Sequence, residues 1–408
     1  RFGAEGNGYY NLFTAWMAVL GVLATLGLSS SNVRSVAEYS AKGQWGKLRP
    51  LHNGVLRTVV PFALLLGLLF LAWRELALRG VVGDGGLPPQ VMLAMAVTLP
   101  FSALLLVNVE FIRGTKRVAV SELLRSPALL GLTLLAVLFI PGEAMAPVVA
   151  NAAVIALCAL LGYGLVRRYI GQIEAKHQAK PMAINMREHL VLALPMIITA
   201  LSSSLNGRLD TIMLAWYRPS DIIGIYGTAV KISIGIEFVI GAIKTIAMPK
   251  IAEMYHAGRH GELKETLDYA AKLVFWTTAP VTVVLIVFAA PIMGILGPEF
   301  VAGAPILRIM ALAHFISASS GMVGAFLNMT GGQVAFSRIV VAAVGINVLL
   351  NLLLIPPFGM LGAATAAGIT LSLWNIAGAV LIYRKHRINM YYVPWVTNRS
   401  SKHADQPE

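Results

Sequence analysis

Eleven long apolar runs dominate this chain and leave few folds open to it. They cover 10–28, 55–73, 88–109, 124–140, 148–166, 190–215, 222–246, 272–296, 304–327, 336–355 and 362–383. A spanning helix needs roughly 17–25 mostly apolar residues. Lipid offers no hydrogen-bond partners, so only helices and closed barrels cross a bilayer. Barrel strands are about half as long as these runs and alternate in polarity. The composition agrees, with 57% hydrophobic and 12% charged residues, against about 45–50% and 25% in soluble domains. The expected fold class is therefore an all-α integral membrane protein.

Basic residues orient the spans, because cytoplasmic connections are enriched in Lys and Arg. Alternate connections are basic: Arg34, Lys42, Lys47 and Arg49; then Arg113, Lys116, Arg117 and Arg125; then Arg167 to Arg187; then Lys250 to Lys272; then the tail. This pattern predicts a cytoplasmic C-terminus and residue 1 outside. An outside start fits eleven visible spans of about twelve, with one helix upstream of Arg1. The net charge of +13 is absorbed by this topology and does not point to nucleic acid.

A shift of 216 residues aligns Gly8 and Tyr10 with Gly224 and Tyr226, and Tyr39 with Tyr255. The copies lie six helices apart. An even number preserves orientation, so the halves read as parallel repeats. The longest polar stretch between them is RRYIGQIEAKHQAKPMAINMRE, residues 167–188. The expected organisation is an N-terminal lobe at 1–166, a cytoplasmic linker at 167–188, a C-terminal lobe at 189–383 and a cytoplasmic tail at 384–408.

The segment KISIGIEFVIGAIK (231–244) places Lys231, Glu237 and Lys244 in an apolar run. Each such group costs about 2.5–3.5 kcal/mol at a helix centre, so three cost about 8–10 kcal/mol. The Ile, Val and Phe side chains of 222–246 return about 4–7 kcal/mol. The charges are expected to face a protein interior or water. At about 100° per residue, Glu237 and Lys244 share a face and Lys231 is turned away. Lys244 can also snorkel from the cytoplasmic end, and Glu237 can be a structural ion-pair partner. The run before it holds Ser203, Asn206 and Asp210 in one stripe, with Arg208 opposite. His314 lies deep in 304–327, either as a proton carrier or as a packing residue. Arg34 and Arg57 flank the inner mouth and can equally be topology signals. Pro280 is expected in the first turns of its helix, where proline is tolerated, and Pro100 further in.

Several stretches then carry a resemblance. LPMIITALSSSLNGRLDTIMLA (194–215), GAEGNGYYNLFTAWMAVLGVLATLGLSSSNVRSVAEYSAKG (3–43), LGPEFVAGAPILRIMALAHF (296–315) and GINVLLNLLLIPPFGMLGAATAAGITLSLW (345–374) resemble bacterial polysaccharide-export flippases of the O-antigen type. That family sits in a superfamily with multidrug antiporters and the lipid II flippase. The resemblance implies two six-helix lobes forming a V around a central cavity. It implies export of undecaprenyl-pyrophosphate-linked oligosaccharide, as in lipopolysaccharide synthesis, from the inner to the outer leaflet of the bacterial cytoplasmic membrane. Coupling to H+ or Na+ is implied, and a glycan polymerase or ligase is a conceivable partner. By position, Lys231, Arg208, Lys244, Arg34 and Arg57 would meet the anionic substrate. Asp210, Glu237 and His314 are the ion-coupling candidates. The family's first helix has no counterpart here.

The competing reading is a multidrug or organic-cation antiporter, although this interior holds more Lys and Arg than Asp and Glu. A membrane enzyme would need a metal-binding acidic cluster or long outer loops, and the sequence offers neither. No cofactor or metal is expected, and the lone Cys158 rules out a disulfide within the chain.

Overall fold

The computed structural model describes residues 2–140, 143–205, 207–392 and 394. They are helical almost throughout and group into two compact units, 1–224 and 225–408.

The first unit begins with α1 (Gly3–Ala24) and α2 (Leu28–Ala41). The two are bent by 55° where Leu26 and Gly27 both take positive φ, 51° and 71°. Then come α3 (Leu48–Leu78), α4 (Pro89–Gly114), α5 (Val118–Arg125), α6 (Pro127–Phe139) and α7 (Ala146–His177). Prolines at the first helical positions of α4 and α6 start those helices at no cost in hydrogen bonds. The unit continues with α8 (Met186–Leu205) and α9 (Leu209–Leu214). It closes on the first turn of α10 (Ser220–Ser233). The second unit holds the rest of α10, then α11 (Gly235–His256), α12 (His260–Val287), α13 (Ala289–Gly294), α14 (Ala304–Ser319), α15 (Val323–Met329), α16 (Gln333–Phe358) and α17 (Met360–His386).

Among the described residues, eight helices are long and apolar enough to cross a membrane, or nine if α1 and α2 count as one span. The expected runs 190–215 and 222–246 are each interrupted and do not form single helices. The first breaks around Gly207, which has φ 76°. The second breaks at Ile234. The run 304–327 breaks between α14 and α15 at Gly321, with φ 68°. Pro280 stands deep inside α12, not in its first turns, because the amphipathic segment before it continues into the span without a break. Likewise α7 runs to His177, well into the stretch read as linker. The non-helical part that follows is tied down where Met182 N–H donates to Gly46 O at 3.0 Å.

The outer faces are apolar. Leu64, Leu65, Leu68 and Leu69 of α3 and Leu130, Leu134 and Leu138 of α6 are all exposed. An apolar exterior of this extent is a liability in water and the required surface in lipid. Within the first unit α1 meets the start of α10 through glycine. A Cβ on Gly8 would lie 2.6 Å from the Ser220 carbonyl carbon, and one on Gly224 would lie 2.8 Å from that of Ala4. Small residues at such crossings let membrane helices approach backbone to backbone.

Candidate functional site

In the second unit, the helix break falls among the three charges noted in the sequence. Lys231 lies in the last turn of α10 and is exposed. Ser233 closes that helix, its hydroxyl donating to Val230 O at 2.7 Å. α11 opens two residues later, with Glu237 N–H donating to Ile234 O at 2.8 Å. Lys231 and Glu237 therefore sit on different helices, and a spacing argument across both does not apply. The Glu237–Lys244 spacing does survive, since both lie on α11, and Lys244 is close enough to act on the Glu237 carboxylate by charge.

Glu237 has a second partner that spacing could not supply. Its Oε1 lies 3.3 Å from Nδ1 of His314 on α14. The carboxylate side chain is 33% exposed and the imidazole 8%. The other ring nitrogen, His314 Nε2, is buried and has no hydrogen-bond partner among the described residues. Around the pair, α11, α12 and α14 pack through Ile236, Ile240, Val274, Ala311 and Ala318.

In the first unit, Arg208 follows the interruption at Gly207 and caps α9. Its Nη1 donates to Ser204 O at 3.0 Å. Asp210 is buried in the first turn of α9. Asn206 of the expected polar stripe lies outside the described residues, as does the side chain of Ser203. Arg57 and Arg34 are exposed, and neither has a hydrogen bond or ion pair among the described residues. Arg34 lines a polar cavity of about 130 Å³ with Ser31, Ser35, Tyr39, Glu188 and His189.

Sequence reading missed three groups. His189 is buried, with Nδ1 hydrogen-bonded to Ser35 Oγ at 3.1 Å and Nε2 to Tyr39 OH at 3.0 Å, so it clasps α2 to α8. His52 is fully buried and pairs with Asn108 Oδ1 at 2.9 Å, while Asn108 Nδ2 donates to Ala159 O, joining α3, α4 and α7. Glu110 receives Arg125 at 2.6 Å and Arg113 at 3.4 Å, and Arg113 also reaches Glu122. The signal available was a polar residue inside an apolar run, which marks a buried partner without naming it. In the second unit Asn347, Asn351 and Thr370 form a comparable buried cluster between α16 and α17. Among the described residues, no three His, Cys, Asp or Glu side chains converge as a metal site would need.

Comparison with known proteins fits this arrangement. The pattern of the MatE family matches residues 195–353. A probable low-salt glycan biosynthesis flippase, Agl15 of Haloferax volcanii, is 20% identical over 400 residues, covering 97% of this chain and 81% of the relative. Among solved structures, an inward-facing multidrug resistance MATE transporter of the MOP superfamily superposes with a TM-score of 0.70 at 14% identity. It covers 95% of this chain and 91% of the other. The lipid II flippase MurJ in an inward closed conformation gives the same TM-score and identity, covering 100% and 88%. At such identities these structures establish a shared helical fold. The relatives as a group are flippases and transporters. The polysaccharide biosynthesis protein pattern matches residues 2–255, well over half of the chain, and the chain belongs to that family.

Proposed function

We propose that the protein moves a polyprenyl-pyrophosphate-linked oligosaccharide from the inner to the outer leaflet, by alternating access of two lobes coupled to an ion gradient. The observation that carries this reading is Lys231: a lysine exposed at an interruption in an otherwise apolar helix. An interrupted helix beside a charge is a recurrent binding device in transporters. Arg208, Lys244, Arg34 and Arg57 add further cations, so the polar groups outnumber Asp210 and Glu237 in the sign that suits pyrophosphate and acidic sugars. Arginine offers a planar fork to phosphate oxygens and lysine a point charge. The similarity to a glycan biosynthesis flippase supports the same substrate class. In this reading the membrane is the cytoplasmic one, with the basic tail inside.

The test is leaflet translocation of a fluorescent polyprenyl-pyrophosphate sugar in vesicles. Undecaprenyl and longer polyprenyl carriers form separate arms. Lys231→Ala and Arg208→Ala are expected to lose translocation while keeping wild-type expression and thermal stability. Unchanged translocation in both variants would remove the basis of the reading.

A second reading, an organic-cation antiporter, is favoured by the MatE match over residues 195–353 and by the buried carboxylate Asp210. Dye export by the vesicles, abolished by Asp210→Asn and untouched by Lys231→Ala, would establish it in place of the first.

A further inference from the structure

We propose that Phe238 is the platform on which a hexose ring of the transported glycan stacks. This depends on the flippase reading above and names the part of the substrate that α11 grips.

Phe238 lies early in α11, near the middle of the apolar run 222–246, and is 79% exposed. Other strongly exposed phenylalanines mark the far ends of spans: Phe139 closes α6, Phe288 follows α12 and Phe358 closes α16. Aromatic rings at such ends anchor to the membrane interface. Phe238, at mid-run, has no interface to anchor to.

The exposed face of α11 is centred on this ring. At about 100° per residue, Gly235 stands about 60° to one side of Phe238 and Gly241 about 60° to the other, and both are exposed. A Cβ on either glycine would meet nothing within 4 Å, so a flat ligand can come close to the backbone on both sides of the ring. Glu237 and Lys244 form one edge of the face, about 100° and 120° from Phe238, and both are half-buried. The hydrogen bond to His314 holds the Glu237 carboxylate at that edge. The opposite face, with Ile236, Ile240 and Ala247, is buried.

This composition does not suit an acyl chain. The surfaces that meet lipid on α3 and α6 are rows of leucine. Here the edge is ionisable, and charge in hydrocarbon is expensive. The face therefore opens on water, where an uncovered phenylalanine forgoes the gain of burial. Its cover must be apolar towards the ring and polar at the rim. A hexose has that form: its equatorial hydroxyls point outward, and its C–H groups gather on the flat faces. Those C–H groups carry slight positive charge, which the negative face of an aromatic ring attracts. A rim hydroxyl can donate to the Glu237 carboxylate, and a charged acceptor makes such a bond about twice as strong as a neutral one. Lys231, exposed on the preceding helix, is left for the pyrophosphate.

Two probes separate sugar from carrier. One is a fluorescent polyprenyl pyrophosphate bearing a trisaccharide of glucose, galactose and N-acetylglucosamine; the other is the same carrier without sugar. In vesicles, Phe238→Leu should slow the glycosylated probe by about 2- to 12-fold, the range for one aromatic contact, and leave the bare carrier at the wild-type rate. Phe238→Tyr, which keeps the ring, should restore the glycosylated probe. Equal losses on both probes would mean that the ring meets the carrier chain or a neighbouring helix, and wild-type rates on both would mean that it meets no substrate; either result overturns the platform. Binding is read separately, by saturation-transfer NMR with the water-soluble trisaccharide pyrophosphate and protein in nanodiscs. The sugar signal should fall in Phe238→Leu and return in Phe238→Tyr. Binding that depends on Phe238, with neither probe translocated, would refute the flippase reading and leave the platform standing. Translocation of the glycosylated probe at a rate indifferent to Phe238→Leu would do the reverse.

Discussion

Replacing Gly8 or Gly224 by alanine should loosen the first unit where α1 crosses the start of α10. The added Cβ would stand 2.6 Å from the Ser220 carbonyl carbon in one case and 2.8 Å from that of Ala4 in the other. Carbon atoms rest about 3.5–4.0 Å apart, and the two carbonyl oxygens stand closer still, so the two backbones must part by more than about 1 Å. No flexible side chain can move aside, because both obstacles are main chain. Overpacking of this kind costs about 1–3 kcal/mol. The Asn11 Nδ2 to Ile223 O bond at 3.4 Å, already long, would be lost as well. The chain supplies its own reporter. Its single cysteine, Cys158, is buried in α7, so a thiol-reactive dye in detergent lights up only on unfolding. Gly164→Ala is the control, since a Cβ there meets nothing within 4 Å. It should leave stability unchanged or raise it by up to about 1 kcal/mol, the usual gain for alanine over glycine in a helix. Gly8→Ala and Gly224→Ala should unfold at clearly lower temperature than both wild type and control. Wild-type midpoints in both would falsify the close crossing.

Three further outcomes follow from the buried polar contacts. Asn108→Leu removes the acceptor for His52 and the donor to Ala159 O; at about 0.6–1.7 kcal/mol per interhelical bond in a membrane, it should cost about 1–3 kcal/mol in the same thiol assay. His189→Phe keeps the ring and cuts both hydrogen bonds to α2, and a double-mutant cycle with Tyr39→Phe should give a coupling energy of about 0.5–1.5 kcal/mol, whereas a value near zero would mean that the clasp contributes nothing. Glu110→Gln leaves Arg125 and Arg113 without their shared carboxylate; because both arginines are more than a third exposed, screening limits the loss to about 1 kcal/mol, and it should shrink in high salt.

Much of this architecture is written in the letters, and the parts that are not share a cause. The uninterrupted spans were legible because lipid demands length and apolarity, and α3, α4, α7, α16 and α17 satisfy that demand residue by residue. Glu237 and Lys244 were placed on one face correctly, since they share α11 and helical geometry is local. Breaks were harder. Gly207 and Gly321 are recognisable as residues that accept positive φ, but Leu26 also takes φ 51° and Ile234 ends a helix with no local signal at all. Tertiary packing decides these, and it lies outside the reach of propensity. Pairings were invisible for the same reason. His314 and Glu237 are 77 positions apart, and His189 stands 154 from Ser35. Each was at most a lone polar letter in an apolar run.

The breaks and the polar groups are not independent features. A continuous membrane helix satisfies its own backbone and has no need of polar neighbours. Where it is interrupted, backbone groups are freed and must find partners, so irregular chain at membrane depth persists only against protein or water. In this molecule Arg208 and Asp210 follow the break at Gly207, Lys231 precedes the break at Ile234 and Glu237 follows it, and Ser320, bonded to Asn375 Oδ1 at 3.2 Å, adjoins the break at Gly321. A charge placed mid-helix would have to be carried at full insertion cost. Placed beside a break, it shares the wet or protein-lined surroundings that the break already requires. Restoring helix continuity should therefore harm function even with the neighbouring charges in place. Gly207→Ala removes the residue that takes φ 76°, and at an exposed position with nothing within 4 Å of the new Cβ its penalty is conformational, of order 1 kcal/mol. Translocation in vesicles should fall in this variant at near-normal stability, and a variant that transports like wild type would show that the interruption is not needed.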